Sequence, residues 1–212
     1  GLVSETDRCT TLSDGDATVH TAEHLLSALF GLGILDAEIY CSAAELPILD
    51  GSAKPWVEAI LHAGLEEVGP MQGFALQSAI RVEDPETGAW AEAIPAAMPH
   101  YQVHLSHDPE AVGLNSIRYS HGQDYAQKIA PARTFTLASH LLPLIDRGLL
   151  QGAEEGSGVV VLDRQLSGDE WQALEAFIEQ PLVPAEALGA LPMTPFNMPA
   201  EPAAHKMLDL LG

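Results

Sequence analysis

Two short stretches of the 212-residue sequence carry side chains that could bind a metal ion. The first is His20-Thr21-Ala22-Glu23-His24, which holds two histidines and a carboxylate within five residues. The second holds His205 and Asp209, whose four-residue spacing would place them on one face of a helix. Imidazole and carboxylate groups are common protein ligands of zinc. We therefore expect the two stretches to meet at one divalent metal, with Glu23 acting on the water there.

The first stretch also matches the H-x-x-E-H pattern of zinc peptidases, in which two histidines bind zinc and the glutamate is the base. Catalytic zinc usually takes three protein ligands and leaves a fourth position open, so all four candidates together would close the site. Thr21 is the predicted N-cap of the following helix, which leaves His20 outside that helix and off the face of His24. The favoured ligand set is therefore His24, His205 and Asp209. A peptidase that uses His20 and His24 is the competing hypothesis.

The spacing of apolar residues along the rest of the sequence predicts the helices and strands that must position these side chains. Apolar residues from Leu25 to Leu32 recur at helical spacing and Gly33 offers a stop, so a helix should carry His24. Further helices are predicted over 54–62, 125–129, 136–146 and 169–179. Strands are predicted over 37–41, 74–82, 89–94, 101–106 and 158–162, with 74–82 and 89–94 forming a hairpin. Segments 45–52 and 181–202 are predicted to be irregular.

The domain organisation is predicted from one linker-like segment, Gly69-Pro70-Met71-Gln72-Gly73. We place a boundary there, with a first α+β domain over 1–70 that carries Glu23 and His24. The second α+β domain, over 71–212, carries His205 and Asp209.

Composition excludes several classes of function. Thirty acidic and nine basic residues give a formal net charge of −21, which repels nucleic-acid phosphate and anionic lipid. No apolar run is long enough for a transmembrane helix, and no signal peptide is recognisable. The only two cysteines, Cys9 and Cys41, make no disulfide framework and are predicted to be buried small hydrophobes. These features together predict a cytoplasmic protein.

Four segments, in the same order, resemble the UDP-3-O-acyl-N-acetylglucosamine deacetylases of lipid A biosynthesis. They are VHTAEHLLSAL at 19–29, ELPILDGSA at 45–53, IAPARTF at 129–135 and HKMLD at 205–209. The resemblance implies an α+β fold of two similar domains, each a small sheet packed against helices, with the metal site between them. It also implies that the protein is a hydrolase.

The same resemblance implies roles for individual residues at the metal. His24, His205 and Asp209 would bind Zn²⁺, with Fe²⁺ as the alternative because the same donor set suits both ions. Glu23 would be the general base. His20 would stay outside the metal shell, in agreement with the capping argument.

Around the metal, the resemblance implies a set of substrate contacts. Thr134 would stabilise the oxyanion of the amide carbonyl, and Lys206 would contact substrate and hold charge near the metal. Phe135 would line the substrate cleft, while Arg133 and Lys206 would be the cations available to a diphosphate. Cys9 matches a cysteine near the family's metal.

The implied activity is a zinc-dependent deacetylase that removes an acetyl group from an N-acetylated amino sugar, a small-molecule substrate. Because the chain has only nine basic residues, an acylated amino sugar without UDP is an open alternative. In the family, a catalytic histidine follows the last zinc ligand, beyond the Gly212 at which this sequence ends. The alternative function is therefore a non-catalytic relative that binds metal or an acyl sugar. Remaining candidates for the general acid are Glu23, His100, His104, His107 and His121.

A homodimer is a further hypothesis, since a shortened sheet edge can pair with another copy.

Overall fold

A computed structural model describes residues 2–6, 9–69, 73, 75–120, 123–147, 157–184 and 187–212. Across these ranges, small sheets pack against helices, which confirms the predicted α+β class. Among the described helices, none combines the length and the hydrophobicity needed to span a bilayer.

The strands are short and pair mainly as antiparallel neighbours. In chain order they are β1 (Leu2–Glu5), β2 (Thr11–Asp14), β3 (Ala17–Val19), β4 (Ile80–Glu83), β5 (Trp90–Ala93), β6 (His100–His104), β7 (Ser116–Ser120), β8 (Phe135–Leu137), β9 (Val159–Leu162) and β10 (Gly189–Ala190). The described strands form the sheets β1-β2-β3, β4-β5, β6-β7 and β10-β9-β8. In the last of these sheets, β8 and β9 pair in parallel.

Most of the helices lie close to their predicted positions, but the sequence does not predict the short helix over 109–112. The helices are α1 (Glu23–Gly31), α2 (Lys54–Ala63), α3 (Pro109–Val112), α4 (Tyr125–Lys128), α5 (Ala138–Asp146), α6 (Gly168–Ile178) and α7 (Glu201–Leu211). The predictions of helices over 54–62, 125–129 and 169–179 are confirmed, apart from their ends. The predicted hairpin also forms, between β4 and β5, but the strand predicted over 74–82 begins only at Ile80, since the described residues 75–79 are not in a strand. The helix predicted over 136–146 begins only at Ala138, because the preceding residues pair with β9 as part of β8.

Several sequence predictions are wrong in detail. Residues 37–41 form no strand, and Tyr40 is 90% exposed, because their alternation meets no neighbouring strand in the described chain. The segment 181–202 is not wholly irregular, since it includes β10, and Glu201 already begins α7.

The N-cap of α1 is Ala22, not the predicted Thr21. Thr21 lies in the left-handed region with φ 59°, which is unusual for a β-branched residue. Its hydroxyl donates a hydrogen bond to Glu45 Oε1 at 3.0 Å instead of capping the helix. His20 is nevertheless outside α1, as expected.

The main core cluster joins elements from both ends of the chain. Ala28 of α1 and Val57 of α2 share it with Tyr125 of α4 and with Met207 and Leu208 of α7. Helix α7 also packs against β6 and β7, so its position is fixed from several sides. A second cluster packs α5 and α6 together beside β9.

The predicted domain boundary falls on 69–73, and residues 70–72 of that linker lie outside the described residues. The division into 1–70 and 71–212 therefore stays a prediction.

Candidate metal centre

Helices α1 and α7 bring three potential metal ligands together. His24 is the second residue of α1, while His205 and Asp209 lie one turn apart on α7. One potential ligand atom from each residue lies within 4.8 Å of the other two. The two histidines are 3% and 2% exposed, and their rings meet edge to face with centroids 5.1 Å apart. This is the trio that the sequence predicted as metal ligands.

The orientation of His205 is fixed by a backbone carbonyl. Its Nδ1 lies 3.0 Å from the carbonyl oxygen of Ala132, which can only accept, so Nδ1 carries the proton. In the neutral ring, Nε2 then presents a lone pair, 3.3 Å from Asp209 Oδ1. Two ligand atoms about 2.0–2.1 Å from a tetrahedral ion lie roughly 3.3 Å apart, so this spacing suits zinc. A carbonyl that orients a histidine ligand is a recurrent feature of metal sites.

His24 supplies a second indication that the site fits a metal. Its Nδ1 is buried and has no hydrogen-bond partner among the described residues. Buried polar atoms are rarely left unpaired. Because His24 lies beside a second histidine and a carboxylate, its unpaired nitrogen fits a site built around a cation. The donor set of two imidazoles and one carboxylate is typical of open zinc sites.

The protonation states of the trio also favour a cation. Burial, followed by the neighbouring His205, lowers the pKa of His24 to about 4, although nearby carboxylates oppose the shift. Burial likewise lowers the pKa of His205. Burial alone would raise the pKa of Asp209, but His205 and Lys206 more than offset this and hold that pKa below its usual range. At neutral pH the site therefore offers two neutral imidazoles and a carboxylate, the forms that bind metal.

Lys206 and Phe135 lie beside the trio. The Lys206 ammonium donates to Asp209 Oδ2 at 2.7 Å and lies 5.9 Å from the centre of the Phe135 ring. The two oxygens of Asp209 thus face different partners, Lys206 and His205. Since the Lys206 side chain is about half exposed, it can also reach a ligand at the mouth of the site.

Glu23 begins α1 immediately before His24 and is almost fully buried. The backbone N–H of Thr10 donates to its Oε2 at 2.8 Å and holds the carboxylate in place. Glu23 is also close enough for its charge to raise the pKa of His24. A fixed carboxylate adjacent to the potential metal ligands is suitably placed for proton transfer.

Thr134 is held where two of the resembling segments meet. Its N–H donates to Gly51 O at 2.6 Å, and its carbonyl accepts from Val159 N at 2.8 Å. Gly51 has φ 80°, and a Cβ there would lie 2.4 Å from Ser157 O and 3.1 Å from Thr134 Cγ2, so this close approach requires glycine. The role of Thr134 as an oxyanion donor stays a prediction.

Arg133 is bonded to groups outside the trio. Its guanidinium pairs with Glu201, at 2.9 Å between Nε and Oε1, and also donates to Pro195 O. A substrate-binding role for Arg133 stays a prediction, and its observed partners are within the protein. His20 is outside the trio as well, since its ring bonds to the Thr11 hydroxyl at 3.0 Å.

Among the candidate general acids, His107 packs edge to face on Phe135 with centroids 6.3 Å apart. His100 is exposed and bonds to Ser120 of the neighbouring strand β7. His121 lies outside the described residues. The cysteines are not buried as predicted, because Cys9 is half-buried and Cys41 lies on the exposed segment after α1.

Sequence reasoning missed the groups that orient the site. They are the Ala132 carbonyl, the Thr10 N–H and the buried carboxylate of Glu201. Backbone groups leave no trace in residue types, but Glu201 precedes His205 by four residues, which signals a shared helix face.

The chain is similar to one protein family and to several curated proteins. The family model of UDP-3-O-acyl N-acetylglycosamine deacetylase (LpxC) matches residues 1–178. A bifunctional enzyme LpxC/FabZ of Bacteroides thetaiotaomicron is 31% identical over 211 residues, which cover 99% of this chain and 46% of the relative. A UDP-3-O-acyl-N-acetylglucosamine deacetylase of Chlamydia muridarum is 34% identical over 217 residues, covering 99% of this chain and 65% of the relative.

The chain thus spans about half to two thirds of the length of the curated relatives it matches. The family model ends at the last residue of α6, whereas the alignments with these relatives cover nearly the whole chain and so take in α7 with His205 and Asp209. By the extent of these matches, the chain belongs to the UDP-3-O-acyl N-acetylglycosamine deacetylase family.

Proposed function

We propose that the protein is a zinc-dependent deacetylase that removes the acetyl group from an N-acetylated amino sugar. The observation that carries the proposal is the convergence of His24, His205 and Asp209 next to the buried carboxylate of Glu23. Relatives that cover nearly the whole chain are named for this reaction. His24, His205 and Asp209 would hold the metal, and Fe²⁺ is the alternative ion.

When bound, the metal supplies Lewis-acid chemistry that polarises a carbonyl group and makes water more acidic. The residues of the chain supply the remaining chemistry. Glu23, held by the Thr10 N–H, accepts the proton of the attacking water and is the first candidate to return it to the leaving amine. Thr134 donates to the carbonyl oxygen as negative charge develops there. Lys206 keeps Asp209 ionised and lies at the edge of the cleft, which Phe135 lines.

Recognition of a UDP diphosphate would depend on two cations near the site, Arg133 and Lys206. Arg133, one of the two cations expected near a diphosphate, is already paired with Glu201. Lys206 is paired with Asp209 but remains half exposed. An acylated N-acetylglucosamine without UDP therefore belongs beside the UDP-linked sugar in any test.

The test is acetate release by the full chain loaded with one equivalent of zinc. Two substrates should be compared, UDP-3-O-acyl-N-acetylglucosamine and the same acyl sugar without UDP. We expect acetate release that chelation abolishes and that Glu23→Gln lowers strongly. Binding of either sugar without acetate release would instead support the alternative of a non-catalytic metal- or acyl-sugar-binding relative. Cytoplasmic location and a homodimer remain predictions.

A further inference from the structure

The buried carboxylate of Glu201 is held by donors on two neighbouring segments. Glu201 is the first residue of α7 and is only 1% exposed. Its Oε1 accepts from Arg133 N at 3.0 Å and from Arg133 Nε at 2.9 Å. Its Oε2 accepts from Arg133 Nη2 at 3.2 Å and from the backbone N–H of Asn197. A second bond, from Arg133 Nη2 to Pro195 O at 2.6 Å, fixes the guanidinium from its other side.

The next turn of α7 is bonded to Ala132, the residue before Arg133. His205 follows Glu201 by four residues, and its Nδ1 donates to the carbonyl of Ala132. Two side chains on one face of α7 therefore hold consecutive residues, Arg133 and Ala132. The peptide that follows them carries Thr134, so the same two contacts set its position relative to α7.

We propose that Arg133 and Glu201 are a positioning pair for the metal centre. By holding the 132–134 backbone at a fixed distance from α7, the pair keeps the Ala132 carbonyl where it sets the tautomer of His205. Nε2 of His205 is then free to face Asp209 and the metal. This inference rests on the proposed metal site, and it gives Arg133 and Glu201, which do not bind the metal, the role of orienting one of its ligands.

The negative charge of Glu201 is essential to this role. Both carboxylate oxygens accept only from N–H donors, so an amide at this position would turn an NH₂ group toward donors in either orientation. Arg133 is equally specific, because only a guanidinium can donate from Nε and Nη2 together to one carboxylate. A change in either residue should therefore loosen the contact between α7 and Ala132.

The experiment compares Glu201→Gln and Arg133→Lys with the parent chain and with a matched control, Glu170→Gln. Glu170 also pairs with an arginine through two bonds, to Arg164, but on α6 and away from α7. Nitrogen NMR of the metal-free proteins reports the tautomer of His205. Competition with a chromophoric chelator reports the affinity for zinc, and the visible spectrum of the Co²⁺ form reports ligand geometry.

We expect the parent and Glu170→Gln to show a single Nδ1–H tautomer of His205. Glu201→Gln and Arg133→Lys should show a mixture, an altered Co²⁺ spectrum and zinc affinity lower by about 10- to 100-fold, as for other groups that orient metal ligands. An unchanged tautomer with unchanged affinity in either folded variant would overturn the proposal. Loss of folding in both variants would overturn it too, because the pair would then serve the fold as a whole. A parent that binds no metal would refute the proposed function, while the tautomer measurement would still decide the role of the pair.

Discussion

The rings of His24 and His205 meet at an interplanar angle of 88° with their centroids 5.1 Å apart, although His24 lies in the first turn of α1 and His205 lies on α7, the last helix. Both rings are buried, so the contact exists only where α1 and α7 pack together. Ala28 on α1 and Leu208 on α7 belong to the same core cluster. Assembly of the candidate metal site is therefore coupled to formation of the main core.

This coupling predicts that zinc stabilises the folded protein. The unfolded chain cannot hold His24 near His205, so zinc should bind the folded protein only. At a free zinc concentration 100 times the dissociation constant, such binding raises the free energy of unfolding by about 2.7 kcal/mol. We expect one zinc per chain and a higher melting temperature with zinc. Elemental analysis and thermal unfolding with and without zinc measure these two quantities.

His205→Ala should lose both the metal and the zinc-dependent stabilisation. His20→Ala is the matched control, since His20 lies outside the trio and bonds to Thr11. It should bind zinc as the parent does. Zinc retained by His205→Ala but lost from His20→Ala would contradict the assignment and favour the peptidase hypothesis.

Glu23→Gln should separate metal binding from hydrolysis. The amide preserves the shape of the side chain and an oxygen for the Thr10 N–H but cannot act as a base. General-base groups contribute about 10²- to 10⁴-fold to rate, so we expect kcat to fall in that range while the zinc content stays unchanged. Acetate release by the zinc-loaded variant gives kcat.

The control for this variant is Glu58→Gln, which removes a charge from the exposed surface of α2. Its rate should match that of the parent. Equal rates for Glu23→Gln and the parent would rule out Glu23 as the base.

The sequence predicts the trio because its signals are local and depend on side-chain type. The spacing of His205 and Asp209 places both on one face of α7, and the apolar run after His24 predicts α1. Both elements form where expected. The meeting of α1 with α7 is predicted from the types of their side chains, which suit one shared metal ion, and from the resemblance. Periodicity does not predict it, since no local pattern specifies a contact between the two ends of the chain.

The sequence does not predict features of the site that depend on contacts between residues far apart in the chain. Thr21 has a suitable side chain for an N-cap, but its hydroxyl bonds to Glu45 and its backbone turns left-handed. The Ala132 carbonyl, which orients His205, would be present whatever residue occupied position 132. Tertiary partners of this kind override local propensity and cannot be read from residue types.

Gly31→Ala should destabilise the core where α1 crosses α4. A Cβ at Gly31 would lie 2.2 Å from ring atoms of Tyr125, which is itself buried and bonded to Ser27. Because the ring has no free space to move into, we expect the free energy of unfolding to fall by about 1–3 kcal/mol, the usual cost of overpacking. Urea denaturation measures the change.

Gly168→Ala is the matched control for that variant. Gly168 is also helical, and a Cβ there meets nothing within 4 Å. Alanine favours helix over glycine, so this variant should be neutral or slightly more stable than the parent. Similar losses in both variants would show that the effect is not contact with Tyr125.

The cap of α6 predicts how stability depends on pH. Glu170 accepts from Arg164 and from the backbone N–H of Ser167, and these bonds lower its pKa from 4.5 to about 2. A carboxyl group whose pKa is lower in the folded than in the unfolded state stabilises the fold above the unfolded value, and this contribution is lost as the pH falls through the folded value. The melting temperature of the parent should therefore be higher than that of Glu170→Gln at pH 7. This difference in melting temperature should become smaller as the pH falls from 4.5 to about 2. Thermal unfolding of both proteins across this range measures it, and a difference that stays constant down to pH 2 would show that the charge of Glu170 does not stabilise α6.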